Sequence, residues 1–116
     1  MTHDMWSYHP ESHHRPGMRL TGYTVVATDG PIGIVDEATE ELGSTYVVVD
    51  TGPWVPGRHV LLPAGTIVRV DRAEEKLFVN RTRDEIKDAP AYDPDRDRGD
   101  SRYRENVADY YRPFYS

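Results

Sequence analysis

The chain has 116 residues, a net charge of −6 and no cysteine. That length makes one domain with tails, and the acidic balance repels phosphate backbones at long range, so nucleic acid and anionic membrane are not the expected partners. Without cysteine there are no disulfides, no thiol catalysis and no cysteine-based metal sites, which fits a reducing cytosol.

Residues 1–17 are polar and histidine-rich, with Pro10 and Pro16, and read as an N-terminal arm. The opening M-T-H-D-M-W-S-Y-H-P lacks the basic start and apolar stretch of a secretory signal. No run of the chain approaches the roughly 18–20 apolar residues that span a bilayer. The expectation is a cytoplasmic protein without a membrane segment. Trp6 and Tyr8 are candidates for packing back onto the domain. His3, His9, His13 and His14 raise the possibility of a metal site, since His9 and His13 are four apart. Pro10 lies between them and apolar periodicity is lacking, so a solvated arm is the simpler reading, and no metal or cofactor is expected.

The central part, residues 18–92, carries nearly all the β-branched residues. Strands are predicted at Tyr23–Ala27, Ile32–Ala38, Thr45–Asp50, His59–Leu62, Ile67–Asp71 and Lys76–Asn80. Asp29-Gly30 reads as a tight hairpin turn between the first two, with positive φ supplied at those positions. The run T-Y-V-V-V-D from Thr45 is apolar without alternation, which predicts a strand buried on both faces. Six short strands with regular turn signals predict a small barrel or sandwich. Thr82 and Glu85 form a capping-box pattern for a short helix that ends before Pro90.

Residues 93–116 open with a charged linker. A second helix is predicted from Ser101 to about Arg112, where Tyr103, Val107, Tyr110, Tyr111 and Phe114 make a one-sided apolar stripe. Such a stripe docks either on its own barrel or on a neighbouring chain.

Taken together, Gly22 with Val25 and Val26, Asp29-Gly30 with Ile32-Gly33, Tyr46 to Asp50, the V-L-L-P-A-G from Val60 to Gly65, and the T-R-D-E-I-K-D-A-P from Thr82 to Pro90 resemble a PRC-barrel domain. The resemblance covers roughly Leu20 to Tyr92 and is to the short stand-alone bacterial members. It implies an all-β fold, a small, strongly bent antiparallel β-barrel with short C-terminal helices. It also links the chain to the reaction-centre H subunit barrel and to a ribosome-maturation factor barrel. The transmembrane helix of the first and the extra N-terminal barrel of the second have no counterpart in this sequence.

For function, the serines fall in tails or turns with no base and orienter beside them, and no phosphate-cradling glycine loop is present, so no enzymatic activity is expected. Trp54, held between Pro53 and Pro56, reads as an aromatic anchor for a partner, with Arg58 and His59 as polar rim. The alternative is that Trp54 caps its own barrel. Asp36, Glu37, Glu40 and Glu41 read as a solvated edge, or alternatively as a docking face for a basic partner or a cation. The small core predicts a homodimer, with Trp54 or the Tyr103 to Phe114 stripe at the interface. The favoured function is a non-catalytic protein-interaction or assembly module with an unidentified protein partner. The alternative is a ribosome- or RNA-associated assembly factor, against which stand eight Lys/Arg facing twelve Asp/Glu from Met18 to Ala89.

Overall fold

The computed structural model describes residues 5–8, 12, 17–39, 45–52, 58–97 and 100–114, apart from the side chains of Pro94 and Phe114. Trp54, the four N-terminal histidines His3, His9, His13 and His14, and Glu40 and Glu41 lie outside the described residues.

Seven strands form one sheet: β1 (Thr24–Ala27), β2 (Gly30–Ala38), β3 (Tyr46–Asp50), β4 (His59–Pro63), β5 (Ile67–Asp71), β6 (Lys76–Val79) and β7 (Ala91–Tyr92). Three helices follow β6 in the chain: α1 (Arg83–Lys87), α2 (Pro94–Asp97) and α3 (Ser101–Tyr111). All six predicted strands are present, with ends within two residues of expectation. β7 and α2 are additional.

The spatial order is β5-β6-β1-β2-β3-β4-β7. The expected sheet was antiparallel; the observed one is mixed, because β1 and β6 run parallel. Nor do the described residues form a closed hydrogen-bonded ring, since β5 and β7 are the two edges. The chain nevertheless draws the ends together. β4, next to one edge, passes to β5 at the other through a single 3₁₀ turn, Ala64–Thr66. Three residues span at most about 10 Å, so the sheet must curl until those strands meet at the corner.

Three bulges sharpen this curl, at Val25/Val26, Val35/Glu37 and Ile67/Arg69. Inside it sit Val25, Ile32, Val35, Leu62, Ile67 and Leu77, all essentially inaccessible. Val47, Val48 and Val49 are all fully buried, as the unalternating run predicts for a strand covered on both sides.

The β1–β2 turn differs from expectation. Ala27 pairs with Gly30, so Thr28 and Asp29 are the loop and Gly30 already belongs to β2. Among the described residues only Glu75 has a positive φ outside glycine, so neither loop residue adopts the primed-turn conformation.

The N-terminal arm is no solvated tail where it is described. The N–H of Thr45 donates to Trp6 O (3.1 Å), that of Gly65 to Met5 O (2.8 Å), and that of Val70 to Ser12 O (2.6 Å). It therefore straps β3, the 3₁₀ corner and β5, where the curled sheet lacks ladder bonds. The Trp6 ring meets Tyr46 edge-on, with centroids 6.4 Å apart. Gly65 makes this crossing possible, since a Cβ there would lie 2.7 Å from the Met5 Cα.

Candidate docking face

α3 settles against its own chain. Tyr103, Val107, Ala108 and Tyr111 are buried. The Tyr103 hydroxyl donates to Pro90 O (2.8 Å), and its ring lies 5.5 Å from that of Tyr92 on β7. The Tyr110 hydroxyl donates to Glu85 O on α1 (2.5 Å). Burial pushes both phenols above their ordinary pKa, and nearby acidic groups act in the same direction. The described part of the stripe, Tyr103, Val107, Tyr110 and Tyr111, thus takes the first of its two expected destinations. Tyr103, Val107 and Tyr111 are corrected from interface residues to packing residues, because this chain already covers them.

Arg58 is likewise drawn inward. Its Nη2 donates to Ala89 O at 2.7 Å, tying the approach to β4 to the segment before β7. Arg58 is half-buried, so one of its guanidinium nitrogens is committed within this chain. His59 stays partly exposed, its Nε2 3.6 Å from Asp36 Oδ2. Among the described residues no group of three or more His, Cys, Asp or Glu is placed to hold a metal, and no helix is long and apolar enough to cross a membrane. A surface cleft of about 300 Å³ lies beside the arm, lined in part by Tyr8, Met18, Leu20 and Ala38.

The distinctive surface is the outer face of the sheet. Strand registers align one residue from each strand in a single row: Asp71, Lys76, Thr24, Ile34, Asp50, His59 and Tyr92. Directly paired residues point to the same side, so these seven share a face. Tyr92 is covered at one end, while Ile34, in the middle, is 45 % exposed. A second row, Arg69, Phe78, Val26 and Pro31, runs beside it about 7 Å away along the strands. Phe78 and Val26 are half-buried and Pro31 is exposed. The Arg69 guanidinium lies over the Phe78 ring, 5.4 Å from its centroid.

Together these rows present Ile34, Pro31, Val26 and Phe78 as an apolar strip with charges at its margin. Ile34 faces out because Ile32 is the extra residue of the β1–β2 bulge. Without it, two residues two apart would share a side. With it, Ile32 is fully buried and Ile34 is not. Asp50 is directly opposite Ile34, Asp36 is the extra residue of the next bulge, and Glu37 follows. Ile34, Val26, Pro31 and Phe78 are not among the interaction residues expected from the sequence. Gly33 between two isoleucines was the available signal of a bulge and a reversed side.

Comparison with protein-family models, with curated proteins and with solved structures finds no match.

Proposed function

We propose that this chain is a non-catalytic interaction or assembly module built on a PRC-type barrel, and that it docks a protein partner on the outer face of its sheet. The barrel assignment draws on the Gly22 to Val35 and Val60 to Gly65 segments and on the tight corner that joins β4 to β5. The carrying observation for function is the strip around Ile34. Of the described residues, Ile34 and Val68 are the large apolar side chains left exposed, and Ile34 lies among other outward apolar groups. Apolar surface centred in a charged margin is the usual composition of a recognition patch. Homodimerisation, with Trp54 as a further anchor, belongs to the same reading.

A second reading, an RNA-associated assembly factor, has one observation in its favour. Phe78 beneath Arg69 is a ring and a cation on a sheet face, a pairing on which a base can stack.

The test is affinity capture from the native host, comparing the intact protein with Ile34→Ser and Trp54→Ala. Loss of one protein partner on substitution of Ile34 supports the outer face. Recovery of ribosomal particles, released by salt and unaffected by Ile34→Ser, favours the second reading.

A further inference from the structure

We infer that the Ile34 face takes a segment of another protein in which apolar side chains alternate with lysine or arginine. This rests on the interaction reading above and adds the chemistry of the partner. Ile34 is 45 % exposed and directly opposite Asp50, which is itself exposed. Asp36, two residues along β2, has half of its side chain in solvent, and Glu37 follows it. Three carboxylates thus lie on one flank of an exposed apolar group, Asp50 across the ladder and Asp36 and Glu37 farther along β2. His59 reaches Asp36, while Asp50 Oδ1 accepts the Gly52 N–H (2.9 Å), which leaves its other oxygen open to a donor.

An extended segment laid across this face alternates its side chains at period two. An apolar residue against Ile34 and Pro31 leaves its neighbouring cations on the far side of the segment, from which the long Lys or Arg stems turn back toward Asp36 and Asp50. The net charge of −6 acts in the same direction at longer range, raising the encounter rate with a basic segment and lowering it with nucleic acid. A second copy of this acidic chain is the less complementary occupant, since its Ile34 face would bring the same carboxylates against these.

The experiment titrates the full-length, isotopically labelled protein with four probes while backbone amide shifts are followed. They are a synthetic peptide of alternating Lys and Leu, one of alternating Glu and Leu, one of alternating Lys and Ser, and single-stranded oligouridine. The expected result is that the Lys/Leu peptide shifts β2 and β3 amides around Ile34 and binds at least about tenfold more tightly than the other three. Ile34→Ser should weaken it about tenfold, and Asp50→Asn about twofold to fivefold, with melting temperatures unchanged. Equal binding of the Lys/Ser peptide, tighter binding of the Glu/Leu peptide, or oligouridine shifting the same amides more strongly would each overturn the inference. So would self-association that Ile34→Ser abolishes. If the Lys/Leu peptide fails but the captured host protein is still lost with Ile34→Ser, the basic character is wrong and the docking face stands.

Discussion

The Asp29 carboxylate accepts a hydrogen bond from the backbone N–H of Arg83 at 2.8 Å, joining the β1–β2 turn to the start of a helix 54 residues later. α1 also carries the Thr82–Glu85 capping box, with Thr82 N–H to Glu85 Oε1 at 2.8 Å and Glu85 N–H to the Thr82 hydroxyl at 3.1 Å. Asp29 adds a third satisfied donor and a negative charge at the positive end of the helix. Asp29→Ala should therefore lower stability by about 1 kcal/mol, and Asp29→Asn by less, as read from urea denaturation. No change in Asp29→Ala would mean that the turn and helix are not coupled through this side chain.

Gly33 lies where the backbones of β2 and β3 come close together. A Cβ there would stand 2.1 Å from the Asp50 carbonyl oxygen, a backbone atom that cannot move aside without breaking the ladder. Gly33→Ala should lower stability by about 3 kcal/mol or more, measured by the same denaturation, and should disturb amides on both strands.

The arm can be displaced without touching its own residues. Gly65→Ala pushes a methyl into Met5, and the donors at Gly65, Thr45 and Val70 share that strap. Hydrogen exchange at those three amides should accelerate together in the variant, while amides of β1 and β2 remain protected. Independent behaviour of the three would show that the arm does not act as one strap.

Tyr103 links α3 to the segment before β7 through its hydroxyl. Tyr103→Phe should lower stability by about 1 kcal/mol near neutral pH. The phenol's pKa in the fold is raised above 10.0, chiefly by burial. Its contribution is thus complete below pH 10 and is lost as pH rises from there toward the folded-state value. Stability measured from pH 9 upward should fall more steeply in the parent protein than in Tyr103→Phe. Parallel curves would contradict this assignment.

Much of the scaffold was legible in the residues. β-branched runs bounded by Gly, Pro and acidic turns placed six strands, and Thr82 and Glu85 placed α1. The Tyr103, Val107 and Tyr111 spacing placed α3. What escaped depends on pairing at a distance. The parallel contact of β1 with β6 has no local signal, and Ala91–Tyr92 becomes a strand only because β4 offers it an edge. The outward position of Ile34 was hidden for a sharper reason. Period-two reasoning puts Ile32 and Ile34 on one side, and a one-residue bulge separates them. Trp54, read from its prolines as either a cap on its own barrel or an anchor for a partner, lies outside the described residues.

Docking on the outer face requires a protein partner in contact with Ile34. A benzophenone-bearing amino acid placed at position 34, with exposed Glu74 as the control site, tests it by photo-crosslinking in the native host. A discrete protein adduct is expected at position 34 and not at position 74. An RNA adduct, or identical products from both positions, would contradict it.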